Sequence, residues 1–310
     1  MNIISAFSNG LRATGATKKY ILLAYILNFL LVAGLAASVA NSIGSSVGSS
    51  QAGENLRLGF DDTWFQNYSV NQKDLAATFS PSVTGMGAIF NGLDQFLRGG
   101  IFENFPSIVA AGFLYLLLWT FLSAGFITVY ASDGEKPSFF QQAAHFFPRF
   151  LVLAVLAGIL YYFIFGFVMS WLDSGVRSLT RETLDERVHF TYVVIEYAIV
   201  WMMIVSVNLI FDYSKIMLVL SQSKSVFMVP VRSAALVFSN FRKTFGLYAL
   251  IGIAGIVLML VYWLIVPGAK TSTWFTIVGA FLIGQVYLIA RIWMRCLFFA
   301  GQTTMGKVLV

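Results

Sequence analysis

The stretch FLVLAVLAGILYYFIFGFVMSWL, residues 150–172, decides the class of this protein. It contains no charged residue, and about 20 apolar residues suffice to cross the ~30 Å hydrocarbon layer of a bilayer. The runs between Glu103 and Asp133 and between Lys243 and Lys270 are also free of charge. We therefore expect these stretches to cross a membrane as helices.

The composition of the whole chain supports the same interpretation. Of its 310 residues, 58% are hydrophobic and 11% are charged, whereas about a quarter are charged in ordinary soluble domains. The sequence predicts an all-α integral membrane protein with six transmembrane helices. Their predicted positions are 20–42, 107–131, 150–172, 191–212, 245–266 and 274–297.

The distribution of Lys and Arg predicts the orientation of these spans. If both termini are cytoplasmic, 13 of the 20 basic residues lie on the inner side, with three acidic residues, for a net charge of +10. The outer side then carries seven basic and eleven acidic residues, a net charge of −4. Residues 1–19 are thus an amphipathic cytoplasmic N-terminus and residues 298–310 a cytoplasmic tail. No compact basic domain remains, so we expect no nucleic-acid partner.

The predicted outer side has one long segment, 43–106, and two shorter ones, a loop at 173–190 and a turn at 267–273. A loop of more than about 15 residues is usually functional or disordered. The long segment begins with the Gly/Ser run SIGSSVGSSQAG and then becomes rich in aromatic residues. In MGAIFNGLDQFLRGG, the spacing of Phe90, Leu93, Phe96 and Leu97 predicts one apolar helix face. We expect an ordered cap on the outer face.

The predicted inner segments are an elbow helix at 132–149 and an elbow region at 213–244, where "elbow" denotes a short amphipathic helix at the membrane surface. PSFFQQAAHFFPRF and PVRSAALVFSNFRKTF each place an Arg twelve residues after a Pro, with apolar residues between at near-helical spacing. Basic residues on such helices face lipid headgroups. The predicted contacts with anionic headgroups are Lys18, Lys19, Arg149, Arg232, Arg242 and Lys243.

A threefold repeat follows from the ends of the spans. FDYSKIMLVLSQ, residues 211–222, aligns with WMRCLFFAGQ, residues 293–302, and pairs Tyr213 with Trp293 and Lys215 with Arg295. The repeated unit would be an elbow helix, an outward span and a returning span. Its three copies would occupy 1–131, 132–222 and 223–310, and repeat-built membrane folds are common.

One segment resembles a known family. KSVFMVPVRSAALVFSNFRKTFGLYALIGI, with its Arg232-Ser233 and Asn240-Phe241 pairs, is similar to a segment of bacterial multi-pass proteins, including the membrane domain fused to some glycerophosphodiester phosphodiesterases. The resemblance implies a bacterial inner-membrane protein with elbow helices. The acidic residue expected before the elbow is absent, and the resemblance supplies no catalytic residue.

A few polar residues inside the spans are candidates for a site. Glu196 lies about 9 Å inside its span at 1.5 Å per residue, and an intramembrane acid is a functional hypothesis unless it is paired. Arg187, Tyr192 and Lys270 are its candidate partners. Pairing at the interface and a proton or substrate role both remain open. The other candidates are Asn208 and Asp212, which with Arg291 form a predicted inner cluster, and Gln285, which needs a hydrogen-bond partner.

Motifs for catalysis or metal binding are weak. GSSVG, residues 44–48, matches the nucleophile elbow in letters but follows a span in a Gly/Ser run, without the strand that the motif needs. We expect no catalytic residue, no cofactor and no metal. Small residues at a spacing of four, Ala33 with Ala37 and Ala280 with Gly284, predict close helix packing.

Three functions fit these patterns. The sparse intramembrane charge and broad aromatic surfaces favour a non-catalytic accessory subunit or scaffold that contacts anionic lipids and other integral membrane proteins. A transporter of ions, small solutes or lipids that uses Glu196 is the alternative. A membrane-embedded lipid enzyme is the third.

Overall fold

The computed structural model describes residues 1–48, 51–58, 61–79, 103–132, 137–181, 185–222, 225–266 and 273–310. Throughout these ranges the regular elements are helices, and no strand occurs. The elements are α1 (Ile3–Ala16), α2 (Lys18–Val47), α3 (Ala52–Leu58), α4 (Asp62–Asn71), a 3-10 helix (Asp74–Thr78), α5 (Pro106–Ala131), α6 (Phe139–Phe163), a π-helical segment (Ile164–Val168), α7 (Met169–Thr180), α8 (Glu186–Ser221), α9 (Val229–Ser239), α10 (Phe241–Ile265) and α11 (Trp274–Leu309).

The described residues contain six helices that are long and apolar enough to cross a membrane. They are α2, α5, the continuous run from α6 through the π-helical segment to α7, α8, α10 and α11. The predicted set of six apolar helices is therefore confirmed, and it supports a multi-pass membrane protein.

Two of these helices are much longer than the predicted spans. Helices α8 and α11 each have 36 residues, about 54 Å at 1.5 Å per residue. The predicted elbow region at 213–244 begins as the end of α8, and the predicted tail at 298–310 is almost entirely helical. Many of their side chains are buried, among them Leu218, Ala300 and Met305. The segment predicted as a cytoplasmic tail is thus a helical extension of α11, with an apolar face that packs inside the protein.

The elbow helices differ from one another. Helix α1 ends before Thr17 and α9 ends at Asn240, so each is separate from the span that follows. The segment predicted as an elbow at 132–149 instead continues into its span, with Pro148 inside helix α6. A proline removes one backbone hydrogen bond from a helix interior, yet here it does not end the helix. No break separates this elbow from its span.

The chain divides into two compact units. The first unit comprises Met1–Ala16, Trp119–Gly252 and Cys296–Val310, and the second comprises Thr17–Leu118 and Ile253–Arg295.

In the first unit, glycines allow helices to approach closely. A Cβ atom on Gly10 of α1 would lie 2.9 Å from the backbone of Gly301 in α11. A Cβ atom on Gly306 would lie 2.8 Å from the Ile216 side chain of α8. Contacts under 3.0 Å require the neighbour to move. The end of α11 is therefore packed tightly against both α1 and α8.

In the second unit, short helices form a cap beyond the end of α2. The Asp61 carboxylate accepts a hydrogen bond from the Trp64 backbone N–H at 3.0 Å and so caps helix α4. At Asp74 the backbone has a φ of 53°. Its carboxylate accepts hydrogen bonds from the backbone N–H and the hydroxyl of Ser107 at the start of α5. Ser42 in α2 donates to Gln72 at 2.9 Å. The cap is thus attached to two of the apolar helices.

The expectation of an ordered cap over the whole outer segment stays a prediction. The apolar face predicted for MGAIFNGLDQFLRGG lies outside the described residues.

Candidate functional site

A polar cluster in the first unit joins three helices near the end of α8. The Tyr161 hydroxyl of α6 donates to Asn208 Oδ1 at 2.9 Å. One turn further along α8, Lys215 Nζ lies 3.2 Å from Asp212 Oδ1. The negative charge of Asp212 also acts on Tyr161 and on Tyr248 of α10. The cluster thus contains Asn208 and Asp212 together with two tyrosines and a lysine.

The apolar surroundings hold this cluster in place. Leu209, Tyr213 and Val237 are buried together beside it. The Ser233 hydroxyl of α9 donates to the Ile210 carbonyl oxygen of α8 at 2.8 Å. The Lys215 and Asp212 side chains are only 22% and 19% exposed. Removing one member of such a pair would leave an uncompensated charge with little access to water.

Arg291, which the sequence assigned to this cluster, belongs to the second unit. Its guanidinium group lies 5.9 Å from the centre of the Tyr287 ring, one turn earlier on α11. A cation over an aromatic face is a stable arrangement. Arg291 therefore has an aromatic partner on its own helix.

Gln285 has the partner that the sequence required. Its Oε1 accepts a hydrogen bond from the Tyr25 hydroxyl of α2 at 2.9 Å. Both residues lie in the second unit. The bond connects α2 and α11, and such interhelical bonds contribute about 0.6 kcal/mol.

Glu196 is buried in α8, with 6% of its surface exposed. The charged groups that act on its carboxylate are Asp173 and Arg177 of α7, which form an ion pair of 2.6 Å with each other. These two residues differ from the predicted partners. Of the predicted partners, Lys270 lies outside the described residues. Glu196 thus lies in the field of an ion pair on α7.

Most of the predicted lipid-contact residues are exposed. Lys18, Lys19, Arg232, Arg242 and Lys243 are exposed. Arg149 is half-buried, and its guanidinium group lies 5.8 Å from the centre of the Phe146 ring.

Gly284, one of the predicted small residues, lies in open surroundings. A Cβ atom on Gly284 would meet no atom within 4 Å, and the same holds for Gly34. Ala37 is exposed, while Ala33 and Ala280 are half-buried. Gly284 therefore has no close neighbour among the described residues, and the predicted helix contact there stays a prediction.

Sequence reasoning missed the close approach of Gly10 to Gly301. It also missed the burial of Gln302 and Thr303, whose side-chain polar atoms have no hydrogen-bond partner in the described part of the chain. The small residues at 301 and 306 in the supposed tail were the available signal. Among the described residues, no three His, Cys, Asp or Glu side chains come together.

Comparison with known proteins finds no match among family models, curated proteins or solved structures. The local resemblance to the phosphodiesterase-associated membrane domain stays a prediction.

Proposed function

We propose that this chain is a non-catalytic accessory subunit or scaffold in the cytoplasmic membrane of a bacterium, with both termini inside. In this role the apolar helices bind other integral membrane proteins, and the exposed basic residues of the elbow helices bind anionic headgroups.

The observation that carries the proposal is the open surface of the apolar helices. In the most apolar 18-residue stretch of α10, and likewise of α11, only 6% of the residues are buried within the chain. The surface is available to lipid or to another protein.

The open glycines give this surface a feature that suits a partner helix. Small residues let two helices approach closely and gain van der Waals contact in lipid. Gly284 has no neighbour within 4 Å of an added Cβ atom. We assign the contact that the sequence predicted there to an intermolecular interface.

The pairing of the intramembrane polar groups supports the same function. Tyr161 with Asn208, Asp212 with Lys215, and Tyr25 with Gln285 are bonded to each other. Polar groups that already bond to each other, between helices or within α8, are less available to a moving solute.

Native mass spectrometry of the protein, extracted gently from its own membrane, tests the proposal. We expect a stoichiometric complex with another integral membrane protein. Gly284→Ile should dissociate this complex without unfolding the chain, since the surrounding space is open. Gly158→Ile is the control, because Gly158 in α6 also has no neighbour within 4 Å. A wild-type chain without a protein partner would contradict the proposal, as would an intact Gly284→Ile complex.

Burial of Glu196 beside Asp173 and Arg177 favours one second candidate, transport coupled to a proton or cation. Glu196→Gln keeps the size of the side chain and removes its charge. A scaffold predicts an unchanged complex and no associated flux. Loss of a proton-coupled flux in proteoliposomes on Glu196→Gln, with the Gln66→Glu variant as a control in the cap, would favour the transporter instead.

A further inference from the structure

The cap of the second unit contains a polar pocket that none of the proposed functions uses. Its volume is about 440 Å³, within the range of roughly 300–1,000 Å³ that is usual for ligand pockets. Helices α3 and α4 and the end of α2 form its walls. The principal lining residues are Asn55, Asp61, Thr63, Trp64, Asn67 and Asn71.

Helix α4 contributes one continuous face to the pocket. Trp64, Asn67, Tyr68 and Asn71 all line it, and their spacing of three, four and seven residues puts them on the same side of a helix. Trp64 and Tyr68 are buried and stack on each other with ring centres 5.1 Å apart. Phe79 packs edge-on against both rings. This aromatic packing gives the two exposed asparagines a rigid support.

The hydrogen-bonding groups of the pocket are mostly neutral. Three carboxamides and the hydroxyl of Thr63 can each donate and accept, and among the described side chains no Lys, Arg or His lines the pocket. The single carboxylate, Asp61, already accepts from the Trp64 backbone N–H and from the Asn55 side chain at 3.1 Å. The described lining thus offers an anion no cation, and it offers a metal ion a carboxylate already engaged in two hydrogen bonds.

A buried donor adds an independent observation. The Nε1 atom of Trp64 is buried and has no hydrogen-bond partner in the described residues. Buried polar groups without partners are rare in native proteins and call for an explanation. Trp64 lines the pocket, and a ligand there would reach this donor only after a movement of the indole ring.

We propose that this pocket binds a neutral polyhydroxyl ligand of mono- or disaccharide size. Neighbouring hydroxyls of a sugar both donate and accept, so they match the carboxamides of Asn55, Asn67 and Asn71. The assignment is independent of the scaffold function, because it concerns only the cap.

Saturation-transfer NMR on the full chain in nanodiscs tests the assignment. The probes are glucose, N-acetylglucosamine, trehalose and myo-inositol at millimolar concentration, with glucose 6-phosphate as the charged counterpart of glucose. We expect saturation transfer to at least one neutral probe and a weaker signal from glucose 6-phosphate than from glucose.

Two matched variants locate the binding. Asn67→Asp replaces a lining carboxamide by a carboxylate and should lower the affinity for the bound probe at least tenfold. Gln66→Glu makes the same chemical change at an exposed neighbour that does not line the pocket, and it should leave the affinity unchanged. Thermal unfolding of both variants shows whether the cap remains folded.

Each alternative result overturns the proposal. Absence of saturation transfer from every neutral probe, or equal affinity in Asn67→Asp and wild type, removes the sugar site. If calcium chloride protects the cap against unfolding and the sugars do not, the pocket is a cation site. The native mass spectrometry tests the scaffold function, and its result does not affect these outcomes.

Discussion

Gly10 lies where helix α1 crosses α11, and this position has no room for a methyl group. A Cβ atom would be 2.9 Å from the Cα and N atoms of Gly301. Since these are backbone atoms, rotation of a side chain cannot relieve the overlap. Gly15 in the same helix has nothing within 4 Å.

We predict that Gly10→Ala lowers the free energy of unfolding by about 1–3 kcal/mol, the usual cost of overpacking. Gly15→Ala is the control, and it should be neutral or slightly stabilising because Ala favours helix more than Gly does. Thermal unfolding in detergent measures both. Equal stability of Gly10→Ala and wild type would show that α1 and α11 do not cross there.

Asp61 provides a pH-dependent contact in the cap. The Trp64 backbone N–H, and then the Asn55 side chain, hold the pKa of its carboxyl below the usual value. Because the pKa is lowered in the folded state, the charged carboxylate stabilises the fold at pH values above the ordinary Asp pKa of about 3.9. This stabilisation is lost as the pH falls through the folded-state pKa.

We therefore predict that amide exchange in α4, corrected for its intrinsic pH dependence, speeds up in the wild type as the pH falls from 5 to about 3, a range that spans the usual pKa of Asp. In Asp61→Asn the carboxamide still accepts the cap hydrogen bond but does not titrate. Its exchange should be nearly independent of pH. An identical pH profile in the two proteins would contradict this role for Asp61.

At the scale of elements, the last part of α11 is a structural helix and not a free tail. Phe299 and Met305 are buried in the first unit. Loss of one large apolar side chain from a packed core costs about 2–5 kcal/mol. The helix extension therefore contributes a substantial part of the stability of this unit.

We predict that truncation after Phe298 prevents stable folding, whereas truncation after Lys307 has little effect, because Val308 and Val310 are exposed. Yield of monodisperse protein and thermal unfolding are the measurements. A stable protein ending at Phe298 would show that the residues after it are not needed for folding.

At the scale of the whole molecule, exposed basic residues offer contacts to one membrane surface. Arg232, Arg242 and Lys243 are exposed in and after α9. Each basic residue near an anionic membrane surface contributes about 1 kcal/mol of binding. Changing all three to Gln should reduce the anionic lipid that remains bound to the purified protein.

Quantitative lipid analysis of purified protein measures this loss. The control is a triple change to Gln at Lys73, Arg181 and Arg187, which are exposed on the predicted outer side. It removes the same number of charges and should retain the anionic lipid. Equal lipid content in both variants would contradict the assignment of the elbow helices to anionic headgroups.

Periodicity and charge determined much of this protein from the sequence. Charge-free runs such as residues 150–172 predicted the apolar helices, because the thickness of a bilayer sets a minimum length that is visible in one dimension. Asn208 and Asp212 lie on one face of α8 because they are one turn apart, and the need of Gln285 for a partner followed from its position in a span. These are local inferences, and the structure agrees with them.

Contacts between distant parts of the chain required the tertiary structure. The crossing of Gly10 and Gly301, the hydrogen bond from Tyr25 to Gln285, and the packing of Gly306 against Ile216 each join segments far apart in sequence. Helical spacing shows which face of a helix is small or apolar, but it does not show what covers that face. For this reason Gly284, with its predicted packing motif, is open, while Gly301 in the supposed tail is packed against α1.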